Sequence, residues 1–379
     1  MLIMKSRGES LKGPYILFAA GGTGGHIYPA LSVADALRSK IPNLQIHFVG
    51  TPTGLENKLI PREGYCLHHI PIGRLNRNVS IQERLLTLLR LPWALIQSWR
   101  LIRRLKPEIV VGFGGHASGP VLLMAALTRR PSAIWEPNAH PGLANRILSR
   151  FVDRCLVVFE QSTTALRGKS IEKVGIPVRQ KIAALAEKSP PHQVHQPLRV
   201  LVFGGSQGAR GINQVVVETA LQQAKAWTGR VEIVHQVGPT DFSTVQSRYQ
   251  STSYPPPVQA FEYLHDMEER YRWADLVVCR AGTGTLSELA ATARASLLIP
   301  LPSAADNHQQ KNAEAFADQG ASLMILQKDF NCQSFSHFVE DFIAHPEKLI
   351  LMSQAARSFY QAQAAEHIAE ALIGGLRLN

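Results

Sequence analysis

The sequence predicts an α/β chain of two doubly wound, Rossmann-like domains whose parallel sheets face a central cleft, and three observations carry that expectation. Short apolar runs end repeatedly in glycine-rich loops, the loops lead into helical patterns, and a proline-rich break divides the chain near its middle. The 379 residues suffice for two separate cores, and a composition 45% hydrophobic and 18% charged excludes disordered and fibrous classes. Cys66, Cys155, Cys279 and Cys332 lie too far apart for any CxxC motif, so neither a zinc knuckle nor a redox pair is encoded. A reducing compartment follows from that usage.

Residues 1–13 lack the apolar core of a secretory signal and read as a flexible extension. Tyr15–Ala20 (YILFAA) is a buried-strand run ending in Gly21-Gly22-Thr23-Gly24-Gly25-His26, and Ala30–Ser39 reads as a helix. Glycines let a loop turn tightly and present bare N–H groups, and the following helix N-terminus adds partial positive charge, so an anion or diphosphate fits there. His26 beside that loop titrates near neutrality, which suits a general base; bracing of the loop is the competing role.

Val79 to Lys106 is greasy but interrupted by Arg84, Arg90, Arg100, Arg103 and Arg104, so it is not a bilayer span. Within it Ile81, Leu85, Leu88, Leu95, Trp99 and Ile102 recur at helical steps, among seven arginines from Arg74 to Arg104 offset only by Glu83. That is the chemistry of a helix lying in an anionic membrane interface, with Trp93, Trp99, Arg100, Arg103 and Arg104 as docking residues. The alternative is a core-facing helix pair broken at Pro92. Up to residue 180 there are 24 Lys and Arg against 10 Asp and Glu, and 16 against 19 thereafter, so the first half is the one suited to an anionic surface or substrate. Nucleic acid is disfavoured, because no helix-turn-helix, zinc-finger or RNP signature accompanies the charge.

The strand–glycine–helix grammar recurs at Ile109–Val111 before Gly112-Phe113-Gly114-Gly115, and Pro131–Ile134 leads into a polar strand end, Trp135-Glu136-Pro137-Asn138. Lys181 to Pro197, with Pro190-Pro191 and His192, shows no strand pattern and marks the boundary. The expected units are thus the extension 1–13, a first domain 14–180, a linker 181–197, a second domain 198–345 and closing helices 346–379, the last packing back toward the first domain. Leu198–Phe203 restarts a buried strand before FGGSQGAR, where Ser206 and Gln207 add hydrogen-bonding groups to a second anion loop. Leu276–Cys279 precedes CRAGTGTLSE, which sets Thr283, Thr285 and Ser287 around a helix start. Glu288 there suits two ribose hydroxyls, or a capping box with Thr285. Leu297–Leu301 leads through Pro302 to Asp306-Asn307-His308-Gln309-Gln310, a polar cluster suited to a sugar, or else a helix N-cap at Asp306.

In this order GGTGGH, GFGGHASGP, NAHPGLAN, VGIPVR, GGSQGAR, CRAGTGTLSE and DNHQ resemble the bacterial MurG-type undecaprenyl-diphospho-muramoylpentapeptide β-N-acetylglucosaminyltransferases, from about Tyr15 to the last helix. The resemblance implies a GT-B fold and transfer of N-acetylglucosamine from UDP-N-acetylglucosamine to the muramoyl 4-hydroxyl of lipid I, with inversion, forming lipid II. It makes His26 the candidate general base and Glu136 a secondary catalytic candidate. It puts Thr23, Gly24, Gly25, Asn138 and Arg179 against the donor from the first domain. From the second it adds Ser206 on the diphosphate, Leu264 framing the uracil, the loop Thr283, Gly284, Thr285, Leu286, Ser287 and Glu288, and Gln309 on the sugar. It implies no metal and no cofactor, since loop amides and helix dipole can hold the departing diphosphate. It also implies peripheral attachment to the cytoplasmic face of the inner membrane, roles in cell division and cell shape, and other cell-wall synthesis proteins as partners. The chain departs from the family pattern where Trp135-Glu136-Pro137-Asn138 replaces His-Glu-Gln-Asn and His116 replaces a frequent tyrosine; Pro137 removes one backbone donor. The competing functions are another UDP-sugar enzyme of this fold, a glycolipid glycosyltransferase or an epimerase, and a non-catalytic membrane scaffold.

Overall fold

A computed structural model describes residues 13–73, 80–188, 194–252 and 254–375. Arg74, Arg77, Pro190, Pro191, His192 and nearly all of the expected N-terminal extension lie outside the described residues. The first sheet contains β1 (Tyr15–Ala20), β2 (Gln45–Gly50), β3 (Cys66–His69), β4 (Ile109–Gly114), β5 (Ser132–Glu136), β6 (Arg154–Val157) and β7 (Ser170–Lys173). Its order is β3-β2-β1-β4-β5-β6-β7, with every pair parallel. The second contains β8 (Leu198–Phe203), β9 (Val231–Gln236), β10 (Val258–Phe261), β11 (Leu276–Cys279), β12 (Ala295–Leu298) and β13 (Leu323–Met324). It repeats the same winding, β10-β9-β8-β11-β12-β13, again all parallel.

Parallel strands need crossover helices on both faces, so each strand must be apolar on both sides. In β1, Ile16, Phe18 and Ala20 enter one core while Leu17 and Ala19 enter the other, which is why YILFAA has no polar alternation. β8 divides likewise, Val200 and Val202 on one face and Leu201 and Phe203 on the other. The strand order reverses between β1 and β4 and between β8 and β11, so each domain opens a crevice at the carboxyl ends of those strands.

Several boundaries differ from the sequence reading. The first helix runs Gly24–Lys40 and starts six residues before Ala30, with Pro29 inside it. The turn before that proline, Gly24–Tyr28, is already helical. Ile81–Leu105 is one 25-residue helix with Pro92 inside, not a pair broken there. Its buried face is Thr87, Ala94, Ser98, Leu101 and Ile102, so of the apolar stripe expected from the sequence only Ile102 is fully buried. β12 stops at Leu298 rather than Leu301, before Pro300 and Pro302 can interrupt the ladder.

The segment read as linker begins with a helix, Gln180–Lys188, which belongs to the second domain by packing. Ile182 and Ala186 lie in its core, and an Arg357 guanidinium donates to the Ala186 carbonyl at 2.6 Å. The chain then crosses back. The Ala364–Ile373 helix inserts Ile368, Ala369, Ala371 and Leu372 into the first domain's core against the Gly24–Lys40 helix. Arg154 closes its end by donating to Ala371 O at 2.9 Å and Gly374 O at 3.1 Å, satisfying carbonyls that a helix C-terminus leaves open. Because Ile368 is fully buried there, Ile368→Ala is expected to cost about 2–5 kcal/mol. The loss should appear in denaturant melts as weakened protection of β1 and its neighbours, although the residue is near the opposite end of the chain.

Candidate active site

The first glycine loop and the β4 loop converge at the switch point of the first sheet. Thr23 is the N-cap of the Gly24–Lys40 helix, so Gly24, Gly25 and His26 form its first turn; His26 N donates to Thr23 O at 3.1 Å, while the Gly24 and Gly25 N–H groups precede the helix's first backbone bond. Opposite them, a Cβ on Gly115 would come 2.5 Å from Gly21 O, and one on Gly114 would come 2.7 Å from the His26 ring. With φ of 85° at Gly115 and 114° at Gly114 these two positions also need the positive φ that glycine tolerates. Ser118 Oγ accepts from Gly114 N at 3.2 Å and lies within donating distance of Ala19 O and Gly114 O, tying β4 to β1.

His26 Nδ1 lies 3.2 Å from the Gly21 carbonyl, which can only accept, so Nδ1 carries the proton and Nε2 keeps its lone pair on the Gly114 side. Burial, together with His116 and His308, lowers its pKa, keeping it neutral and able to accept a proton, while the Gly21 bond and Glu56 act in the opposite direction. His308 belongs to the other domain, so charge from both walls of the cleft bears on His26.

Glu136, the secondary catalytic candidate, is buried at the end of β5. Its Oε1 accepts from the backbone and side-chain nitrogens of Asn138, and its Oε2 from Gly142 N and Asn145 Nδ2. Burial raises its pKa against these bonds. With four donors on two oxygens the carboxyl organises the loop after Pro137 instead of facing a reacting hydroxyl, which corrects its candidacy as a base. Asn138, thus fixed, accepts from Asn312 Nδ2 at 3.2 Å across the cleft. Asn312, which the sequence reading did not single out, is fully buried; it also accepts from Ala139 N at 2.9 Å and donates to Ala281 O at 3.3 Å. Its only sequence signal is its place one helical turn past the DNHQ cluster.

In the second domain the Thr283–Thr292 helix begins directly after Gly282, so Thr283, Gly284 and Thr285 are its N-terminal turn, with Gly284 exposed and the two threonines half-buried. Thr285 is therefore inside the helix, and the capping-box alternative for Glu288 does not apply. Ser287 Oγ donates to Gly284 O at 2.8 Å, and Leu286 is buried in the core. Glu288 Oε1 accepts from Arg179 at 2.8 Å and Oε2 from Tyr271 OH at 3.0 Å. Burial pushes its carboxyl up against the pull of those partners. The two residues expected on the donor are thus paired with each other.

Ser206 is exposed in the loop after β8, which Gln236 anchors by donating to Gly205 O and accepting from Leu264 N, both at 2.9 Å. The Leu264 side chain is buried in the core, so contact with a base would run through its backbone. Asp306 has left-handed φ and is not an N-cap; its carboxylate accepts from Leu143 N of the first domain at 3.3 Å. Gln309 accepts from Leu301 N at 3.0 Å, holding the end of the β12 segment. Among the described residues no group of three or more His, Cys, Asp or Glu is arranged to hold a metal ion.

Two Rossmann-like domains with helix N-termini and glycine loops lining a shared cleft define a GT-B protein, in which a nucleotide-sugar donor and its acceptor meet between the halves. Residues 16–157 match the glycosyltransferase family 28 N-terminal domain and residues 199–371 the glycosyltransferase family 28 C-terminal domain. A curated relative from Bdellovibrio bacteriovorus, UDP-N-acetylglucosamine–N-acetylmuramyl-(pentapeptide) pyrophosphoryl-undecaprenol N-acetylglucosamine transferase, is 45% identical over 94% of this chain and 98% of its own. The enzyme of that name from Myxococcus xanthus is 38% identical over 94% of this chain and 92% of its own. The crystal structure of Acinetobacter baumannii MurG superposes with a TM-score of 0.78 at 29% identity, covering 95% of this chain and 99% of that one. A UDP-N-acetylglucosamine 2-epimerase, at 13% identity and a TM-score of 0.64, shares the fold alone. The chain belongs to glycosyltransferase family 28, among its MurG-type N-acetylglucosaminyltransferases.

The close approach at Gly114 generates a direct test. Gly114→Ala should displace His26 and lower turnover at least about tenfold, the order of part of a general base's contribution. UDP affinity, measured by calorimetry, should stay within about twofold because the second domain is untouched.

Proposed function

We propose that this chain transfers N-acetylglucosamine from UDP-N-acetylglucosamine to the muramoyl 4-hydroxyl of the undecaprenyl-diphosphate-linked acceptor, with inversion. The observation that carries the chemistry is His26, whose Nε2 lone pair lies beside the Gly114 loop, at the first turn of the Gly24–Lys40 helix. Inversion requires one in-line displacement: His26 takes the hydroxyl proton as the acceptor oxygen bonds to the sugar's anomeric carbon, and the bond from that carbon to UDP breaks. The departing diphosphate carries the negative charge. Unpartnered N–H groups at the start of the Thr283–Thr292 helix and in the Ser206 loop are placed to bind it. Glu288 is the ribose ligand in this reading, with Arg179 moving from the carboxylate toward the donor when UDP arrives.

His26→Ala should lower turnover about 100- to 10,000-fold and remove the acidic limb of the pH–rate profile, with UDP binding intact. Glu288→Ala should do the reverse at the first step, weakening UDP by about 1.5–3 kcal/mol, roughly ten- to 150-fold in Kd. Calorimetry with UDP and a radiolabelled transfer assay separate the two roles. Unchanged UDP affinity in the second variant would remove Glu288 from the ribose.

We further propose that the Ile81–Leu105 helix docks the enzyme on an anionic membrane. No helix among the described residues is long and apolar enough to cross one. On this helix Leu85, Leu86, Leu88, Leu89, Trp93, Ile96 and Trp99 are exposed, Leu89 at 78% and Trp93 at 49%. Arg100 lies 5.6 Å from the Trp93 ring and Arg103 5.1 Å from the Trp99 ring, a mixture of cations and indoles suited to lipid headgroups. Leu127 on the Ser118–Leu127 helix packed alongside, Leu143 and Ile147 on the Leu143–Leu148 helix packed against that one, and Phe151 just beyond it are also exposed apolar residues. Reversing Arg100, Arg103 and Arg104 to glutamate should release the protein from anionic vesicles and spare transfer to a short-chain acceptor; co-sedimentation indifferent to the change places docking elsewhere. Added salt should weaken binding of the parent protein, the arginine contribution being screened over about 8 Å at physiological ionic strength.

A further inference from the structure

Building on the reading of His26 as the base, we propose that Glu56 is its positioning carboxylate and acts on it through a single peptide group. The Gly21 carbonyl accepts from His26 Nδ1 at 3.2 Å, and the N–H at the other end of that same peptide, on Gly22, donates to Glu56 Oε2 at 2.8 Å. Carboxylate, peptide and imidazole therefore form one chain of hydrogen bonds that ends at the Nε2 lone pair. It serves the purpose of a carboxylate that holds a catalytic histidine in the productive tautomer, with one amide interposed.

Glu56 is placed for this by more than the local helix. It is fully buried at the start of the Glu56–Arg62 helix, and its Oε1 accepts from Thr51 N at 2.8 Å and Thr51 Oγ1 at 2.9 Å. A Cβ on Gly21, Gly50 or Gly54 would come within 2.6, 2.5 or 1.8 Å of its side chain, so the loop after β1, the end of β2 and the turn that follows it close around the acid. Burial alone would favour the protonated form; the donors from Thr51 and Gly22 overcome it and hold the carboxyl below its ordinary range, so a buried negative charge stands behind the loop. That charge polarises the Gly21–Gly22 peptide, strengthens its carbonyl as an acceptor and offsets the positive charge that forms on His26 during transfer. Burial, His116 and His308 all act on His26 in the opposite direction. Without Glu56 the imidazole would be a weaker base.

The test compares Glu56→Gln, His26→Ala and the double variant with the parent enzyme, in transfer rate across pH and in UDP affinity. Glu56→Gln should lower kcat about tenfold and move the acidic limb of kcat/KM to lower pH by roughly half to one unit, because an opposite charge that raised the imidazole pKa is gone. In the His26→Ala background the same change should alter turnover by less than about twofold, since a residue acting through His26 has nothing left to act on. UDP affinity should be unchanged throughout. Near-normal turnover in His26→Ala would remove the base itself, and the relay with it. A large loss in His26→Ala, with an equal cost of Glu56→Gln in both backgrounds and an unmoved limb, would leave the base standing and overturn the relay. Should Glu56→Gln not fold, nitrogen-15 spectra of the histidine-labelled parent decide. The neutral His26 ring, assigned by its loss in His26→Ala, should carry its proton on Nδ1; a proton on Nε2 refutes the proposal.

Discussion

Parallel pairing in both sheets is the constraint from which the rest of the molecule follows. Every strand must return by a crossover helix, so all strands of a sheet point one way and all their carboxyl ends share an edge. Four glycine-rich turns and the polar DNHQ cluster stand on those edges because strand direction leaves them no other place. The amides that begin each following helix then point into the cleft with partial positive charge. The Thr283–Thr292 helix start on one wall and His26 on the other result from the same winding used twice.

Two buried carboxylates and a third that is half-buried show how differently one chemical group is used around that cleft. Glu56 is held ionised by N–H and O–H donors and stands behind the first glycine loop. Glu136 spends both oxygens on four nitrogens and shapes the loop that carries Asn138. Glu288 is shared between a guanidinium and a phenol, partners that a ribose could replace. Residue type alone makes all three candidate acids or bases; the number and mobility of their donors separate scaffold from ligand site.

The halves are joined by contacts of two kinds. Buried Asn312 links Ala139 and Asn138 to Ala281 by short polar bonds that a small rotation would break and could remake. The Ala364–Ile373 helix instead buries a full apolar face in the first domain, a contact that does not part without unfolding. The second domain is thus anchored at its chain end and only clasped at the cleft, an arrangement that permits donor entry between the walls.

From the sequence alone, the parallel two-domain architecture was legible, because apolar runs without alternation followed by glycine loops have few other solutions. His26 was legible too, from its place beside GGTGG, and the exposed tryptophans and arginines of the Ile81–Leu105 helix from their local pattern. What local pattern could not supply was anything depending on contacts far apart in the chain. Glu56 reads as an ordinary helix-start acid until Gly22, 34 residues earlier, is found donating to it. Arg179 and Glu288 are 109 residues apart, and their pairing exists only because the Gln180–Lys188 helix packs against the Thr283–Thr292 helix. Pro92 looked like a break because a local rule counts a missing N–H, whereas packing along the remaining face of the helix decides whether it continues. Sequence determined the winding and the edge on which chemistry occurs; tertiary structure alone decided which groups there are free to react, since hydrogen-bond satisfaction is settled by neighbours brought in from elsewhere in the chain.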